Sequence, residues 1–293
     1  MRRVVRNVVM SNTTMYLLDN LSYCMAASYS FARKLKRTHT RAFRVRESGG
    51  NTEKDIGFLT SGELDVASLL AHCGANNGFI KTWYDATGNG NDVTQTTTSK
   101  QPQIVSSGAL ITDGGKPTAQ FDGANHGLVV ASTATLDILG QNLYLNAVFS
   151  NDPVTKFNGY IISKNTDATA NIQYAIMNSK DYQSNDSVEI LLNGGRRVGT
   201  SNSSVTQGLQ TLASVTWANN TLQCYINNVA SGSSASYSSA LTSRSTFVIG
   251  ARADSGGAIA TYFKGKISEI IILTDFSKRD SIENNQKKYF SIL

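Results

Sequence analysis

From residue 79 to about residue 273 the chain is one strand pattern after another, each ended by a turn rich in Asn or Gly. Nothing else in the sequence limits the fold as strongly. Residues 79–84, 92–97, 118–121, 127–130, 143–150, 159–164, 172–178, 187–192, 210–217, 222–227, 246–251 and 262–273 all read as strands. Between them stand Asp122-Gly123, Asn158-Gly159, Asn193-Gly194-Gly195, Asn219-Asn220, Asn227-Asn228 and Ser255-Gly256-Gly257. Such residues enter tight turns at little conformational cost. Regular short strands of this kind predict an all-β fold of two packed antiparallel sheets. The composition agrees, with 16% charged residues, 40% hydrophobic residues and only three prolines. At 293 residues the chain can bury a large core. No long linker divides it. We read residues 1–27 as an attachment segment with a first short strand at 13–19, and residues 28–293 as one domain. No apolar run approaches the roughly 20 residues that span a bilayer, so no membrane insertion is expected.

Two helices interrupt the pattern. Thr60-Ser61-Gly62-Glu63 fits a capping box, Leu64, Ala67, Leu70 and Ala71 recur at helical spacing, and Gly74 supplies a left-handed stop. This predicts a helix over about 63–73. A second is predicted over about 278–289, capped by Ser277 with Asp280 in the box position and Ile282, Gln286, Tyr289 and Phe290 on one face. Residues 26–35 fit helix and strand periods equally poorly. Residues 42–47 alternate strictly and read as a half-buried strand, whereas 231–239 (SGSSASYSS) read as a low-complexity loop.

The net charge of +6 is unevenly spread. Residues 1–46 hold ten Lys/Arg against one acid, Asp19, which is +9 and leaves −3 for the remainder. For Arg33 to Arg46 we favour internal ion pairs and a solvated strand face. Arg2, Arg3 and Arg6 are left as a docking arm for a larger acidic assembly; nucleic acid is not the expected partner. No apolar run of signal-peptide length follows them, and Tyr23 is too bulky for a lipoprotein cleavage box, so no secretion signal is expected. Cys24, Cys73 and Cys224 are odd in number and far apart, which suggests free thiols in a chain assembled in a reducing cytoplasm.

Several spaced elements then point to a family. Ala27-Ser28-Tyr29-Ser30, Arg33-Lys34-Leu35, Arg44-Val45-Arg46, Asp55-Ile56, Cys73-Gly74 and Trp83-Tyr84-Asp85-x-x-Gly88-Asn89-Gly90 with Thr94-Gln95 occur in order. Together they resemble the front part of the α-L-arabinofuranosidase B catalytic domain and its phage and bacterial relatives. The back half resembles laminin-G and concanavalin-A-like domains through Asn158 to Ile162, Leu222 to Val229, and Phe263 to Ile272 leading into the last helix. The resemblance implies a concanavalin-A-like jelly-roll sandwich. It does not carry the activity with it. The family's Cys-Cys-Phe-Asp-Tyr-Gly-Asn-Ala-Glu stretch is absent, and Leu143 to Asn158 contains one acid, Asp152, and no Glu or Cys. Retaining hydrolysis needs two carboxyls roughly 5–5.5 Å apart; Asp152, Asp181, Asp186, Glu189 and Asp254 are available, but none stands in a matching motif.

Asp85, Thr87 and Asn89, followed by Gly90, mimic the first half of a calcium loop. The bidentate acid expected at the twelfth position is Thr96, so a strand-ending Asx turn explains the same residues better, and calcium is the one cofactor the loop could take. Trp83 and Trp217 sit in strand patterns and read as core, while Tyr160, Tyr174, Tyr182, Tyr225 and Tyr262 are scattered. His39, His72 and His126 are isolated. No Gly-x-Ser-x-Gly elbow, Walker loop or dinucleotide fingerprint occurs. No catalytic residue is assigned. The expectation is a non-catalytic phage structural protein, a tail, fibre or capsid-decoration module made in the host cytoplasm and incorporated in many copies into the virion. Its expected partners are other virion proteins and a host-surface glycan. The alternative is a glycoside hydrolase of the arabinofuranosidase type.

Overall fold

The computed structural model describes residues 15–21, 24–152, 158–166, 171–180, 186–201, 204–254 and 258–293. The docking residues Arg2, Arg3 and Arg6 lie outside them. The strand Lys264–Leu273 organises one layer. On one side its first half pairs with Ala119–Asp122 and its second half with Met25–Ser30. On the other side it pairs with Leu143–Asn151, and Thr211–Ala218, Thr221–Ile226 and Val229–Ser236 follow in order. The second layer runs Gly195–Gly199, Asp186–Leu192, Ile172–Lys180, Gly159–Asn165, Thr246–Ile249, Leu128–Ala131, Val93–Thr94, Gly78–Trp83, Arg41–Glu47 and Glu53–Gly57. Gln103–Ser106 joins the layers by pairing with both Gly78–Trp83 and Ala119–Asp122. All these pairings are antiparallel. This is the all-β sandwich expected, and the turns are as read: Asn193-Gly194, Asn219-Asn220 and Asn227-Asn228 all have positive φ, the geometry of tight hairpins between right-twisted strands.

The core follows from alternation. In Leu143–Asn151, Leu143, Leu145, Ala147 and Phe149 face the space between the layers. Tyr144, Asn146 and Val148 point the other way, yet are buried too, because the helix Arg279–Phe290 lies over that face. Phe31 stacks on Trp83 at 3.7 Å between centroids, and Phe263 meets Phe121 and Phe149 edge-on. Trp83 and Trp217 are both fully buried.

A polar network fixes the last helix to its sheet. Glu283 accepts from Tyr144 (3.0 Å), Ser214 (2.6 Å) and Arg279 (3.1 Å), while Asn146 and Gln286 exchange two amide bonds. Gln286 also donates to Glu269, which is gripped by Arg33 through Nε at 2.9 Å and Nη2 at 2.8 Å. Four of the basic residues between Arg33 and Arg46 are paired within the chain: Arg33 with Glu269, Arg41 and Arg44 with Asp55, Arg37 with Asp19.

Five local expectations change. Residues 17–20 form a turn where a strand was expected over 13–19. Met25–Ser30 is a strand, which resolves the ambiguity at 26–35 and runs across the boundary drawn at residue 27. The first helix is Val66–Cys73, not 63–73. Asp65 caps it by accepting from Ser68 N, and Glu63 is held instead in a bridge to Arg33. Its buried residues are Leu69 and Cys73, so the inward face is shifted from the one read; Gly74 does end it. Arg279–Phe290 has no side-chain cap, because Ser277 bonds Asp275. Val229–Ser236 is a strand where a loop was expected, since a Ser/Gly-rich edge strand draws on backbone pairing and needs no apolar side chains. All three cysteines are free, with Cys73 and Cys224 buried. Among the described residues no helix is long and apolar enough to cross a membrane.

Candidate functional site

The Asp85–Asn91 turn is a clasp. Asp85 Oδ1 accepts from Ser28 N and Thr87 N, both at 3.0 Å. Its Oδ2 accepts from Thr87 Oγ1 (2.6 Å) and Asn91 N (3.4 Å). Asn89 Nδ2 donates to Met25 O and Ala26 O, and Asn91 Nδ2 to Ala26 O at 2.7 Å. The three residues read as a calcium half-loop therefore bind the end of Gly78–Trp83 to Met25–Ser30. Among the described residues no cluster of three or more His, Cys, Asp or Glu forms a metal-holding group. Burial raises the Asp85 pKa against these bonds. Asp85 and Asp92 line a cavity of 140 Å³ beside His39. Burial, aided by Lys34, pushes His39 down to about 4 and keeps it neutral.

Asp152 lies 3.6 Å from Lys264, and Asp254 lies 3.7 Å from Arg252. Glu189 is part-buried in Asp186–Leu192. Asp181 and the side chain of Asp186 lie outside the described residues, as does Tyr182. Tyr174 is buried with its hydroxyl on Leu136 O, and Tyr225 lies against the Arg279 guanidinium.

A different place gathers polar chemistry. Leu128–Ala131, Thr246–Ile249 and Gly159–Asn165 are neighbours in one sheet, and Ala131, Thr246 and Asn165 lie in register at its rim. The adjoining segments, 132–137, 243–245 and Thr166, enclose an open cavity of 490 Å³. Asp137 and Arg244 stand at its wall, with Ser132, Thr133, Ser243 and Ser245 hydroxyls around them. Lys164 sits beneath, its side chain fully buried, 3.6 Å from Asp137 Oδ1 and donating to Arg244 O. Gln173 Nε2 donates to the same Asp137 oxygen at 2.9 Å. Burial works against the Asp137 charge, but bonds from Ser243 and Gln173 and the Lys164 charge outweigh it and lower its pKa. Burial brings Lys164 down to about 8 despite Asp137. A fixed carboxylate, a guanidinium and several hydroxyls around a cavity of this size suit a polyhydroxylated ligand, since each sugar hydroxyl both donates and accepts. The sequence reading missed this site. Its residues are ordinary Ser, Thr, Asp and Arg at three distant positions; the one local signal was Lys164, the single charged residue of Gly159–Asn165.

The comparisons agree with this architecture. Residues 149–282 match the model of the concanavalin A-like lectin/glucanases superfamily. In fold the chain is similar to a GH54 α-L-arabinofuranosidase soaked with a cyclic sulfate inhibitor: TM-score 0.67, 17% identity, 90% of this chain and 63% of that one. It is also similar to an arabinofuranosidase complexed with arabinofuranosyl-α-1,2-xylobiose: TM-score 0.63, 18% identity, 89% of this chain and 62% of that one. The chain therefore spans under two thirds of those enzymes, and at such identity the likeness is one of fold. No curated protein sequence matches it. The described chain is a concanavalin-A-like sandwich, with the arabinofuranosidase-like front and laminin-G-like back that its motifs indicated.

Proposed function

We propose that this chain is a non-catalytic glycan-binding module of a phage particle, a tail, fibre or capsid-decoration component present in many copies. The observation that carries the binding reading is the rim cavity, where the Asp137 carboxylate is held by Lys164 and Gln173, and the Arg244 main chain by Lys164, before any ligand arrives. Pre-set polar groups lower the ordering cost of binding. The Asp85 turn supports a non-catalytic role: both oxygens of Asp85 are occupied by clasp bonds, whereas retaining hydrolysis requires a nucleophile and an acid/base free to face the scissile bond. The basic residues Arg2, Arg3 and Arg6 support docking onto an acidic assembly.

The test has two arms. Glycan-array screening followed by calorimetry on the best oligosaccharide should give saturable binding, weakened at least tenfold by Arg244→Ala and by Asp137→Asn, with folding of each variant checked by melting. The same preparation should release no 4-nitrophenol from 4-nitrophenyl α-L-arabinofuranoside. Turnover abolished by acid-to-amide changes would establish the hydrolase reading instead. Mass spectrometry of purified virions should contain the chain; its absence from particles ends the virion reading.

A further inference from the structure

The rim cavity holds one positive charge in excess. Three charged side chains belong to it: Asp137 and Arg244 at the wall, and Lys164 beneath. Asp137 and Lys164 neutralise each other. Lys164 Nζ lies 3.6 Å from Asp137 Oδ1, and a pKa of about 8 leaves the lysine charged at neutral pH. Arg244 has no such counterpart. Among the described residues no carboxylate pairs with its guanidinium, and the side chain makes one bond, from Nη1 to the adjacent Ser243 O at 3.4 Å. Nε is closed off from solvent, whereas Nη2 has no partner and is not closed off. Lys164 Nζ donates to Arg244 O and so anchors the backbone from which the guanidinium extends. The rest of the lining is Ser132, Thr133, Ala134, Thr166, Ser243 and Ser245, none of them charged.

This balance selects among ligands. A guanidinium stays charged at every accessible pH and offers donors only. A neutral sugar hydroxyl satisfies one of those donors. An anionic group takes two in a planar fork, and its bonds are shorter and about twice as strong as neutral ones. With Nε enclosed, the fork that Arg244 presents is its end, Nη1 and Nη2. A cationic ligand fits poorly, because the charge of Asp137 is already met by Lys164 while that of Arg244 is not. The serine and threonine hydroxyls both donate and accept, which suits a sugar ring beside the anionic group.

We infer that the ligand of the rim cavity is an acidic sugar, its anionic group received by the end of the Arg244 guanidinium and its hydroxyls by the serines and threonines around it. This rests on the glycan reading above and narrows it. The test compares acidic glycans with uncharged counterparts on the full chain, by array and then by calorimetry: trigalacturonic acid against its methyl ester, and 3′-sialyllactose and 3′-sulfolactose against lactose. An acidic member should bind at least tenfold more tightly than its counterpart, and added sodium chloride should narrow the difference. Arg244→Gln should abolish the preference, so that the two bind alike, and Arg244→Lys should keep it. Arg244→Gln should melt with the parent, because the guanidinium has no ion pair to lose. Trigalacturonic acid or 3′-sialyllactose ahead of 3′-sulfolactose would identify a sugar carboxylate as the anion; the reverse would identify a sulfate ester. Equal binding of charged and uncharged members, a preference that survives Arg244→Gln, or a markedly lower melting point for that variant would overturn the inference and leave the glycan reading standing. Binding of no glycan on the array, charged or neutral, would end both.

Discussion

Replacing Glu269 with Gln should be among the most damaging near-isosteric changes in this protein. Glu269 is fully buried and Arg33 nearly so, with side-chain exposures of 0% and 10%. The carboxylate receives two charge-assisted bonds from Arg33 and one from Gln286. At about 1.5–3 kcal/mol for each charged bond, the two from Arg33 represent about 3–6 kcal/mol. Removing one partner of a buried pair costs about 3–5 kcal/mol independently, because the remaining charge is left in a low-dielectric interior. The two routes agree, and at about 2 °C per kcal/mol for a chain of this size the melting point should fall by about 6–10 °C. The pair itself need not be strongly stabilising. A double variant, Arg33→Met with Glu269→Met, should recover most of the loss, since apolar groups of similar volume replace buried pairs at small net cost. It still forfeits the Arg33 bond to Asn285 and its packing on Tyr289, 4.2 Å away. Urea unfolding followed through Trp83 and Trp217 fluorescence measures Glu269→Gln and, as one cycle, the parent, the Arg33→Met and Glu269→Met singles and the double variant. A Glu269→Gln loss under about 1 kcal/mol, or a double variant that loses the sum of the singles, would refute this account of how the last helix is held.

Other outcomes follow from the same structure. Asp55 is held down to about 2 by hydrogen bonds from Arg44, then Tyr84, against the effect of burial. A depressed folded pKa gives stability that is present above the unfolded value and lost as pH falls through the folded one, so stability should decline between about pH 4 and 2, and Asp55→Asn should flatten that limb in acid urea titrations. Lys164 gives a slope of the same sign at the alkaline end. Its folded pKa of about 8 lies below the ordinary 10.5, so the unfolded chain holds the extra proton between them and stability should rise across that window. Melting Lys164→Met beside the parent at pH 7.5 and 9.5 should show the rise in the parent alone. Trp83→Ala should cost about 3–5 kcal/mol by emptying the stack with Phe31, read by chemical denaturation. Among the thiols Cys24, partly exposed, should react first with a disulfide reagent, while burial, which carries Cys224 up to about 12, should keep that thiol and Cys73 silent until unfolding; mass mapping of the adducts decides this.

Period and turn chemistry made the sheets legible, because alternation and Asn-Gly pairs are local properties of the chain. Leu143–Asn151, Ile172–Lys180 and Lys264–Leu273 lie within a few residues of their expected spans. Glu53–Gly57 and Val229–Ser236 were not legible: one is charged and the other is serine-rich, and both are strands because a neighbour offers a backbone edge. The first helix was misplaced by three residues because two acids compete for its start. Glu63 fits a capping box in sequence, but its backbone is bridged to Arg33, so Asp65 becomes the cap. The Asp85 loop was legible as a turn because the bonds from Asp85 to Thr87 and Asn91 span no more than six positions, whereas its bonds to Ser28, Met25 and Ala26 were not legible.

The sequence by itself determined that this chain forms an antiparallel β sandwich with two helices, and that its cysteines stay apart. Those properties depend on spacings of two to four residues and on residue type. Tertiary structure alone decided where polar chemistry collects. Asp137, Lys164 and Arg244 are brought together by strand register, and Asp113, Gln210 and Phe290 by the way the last helix ends against a hairpin. Residues dozens of positions apart become neighbours only when the sheets close. Which polar groups meet at such a junction is a property of the packed molecule, which no local pattern in the chain records.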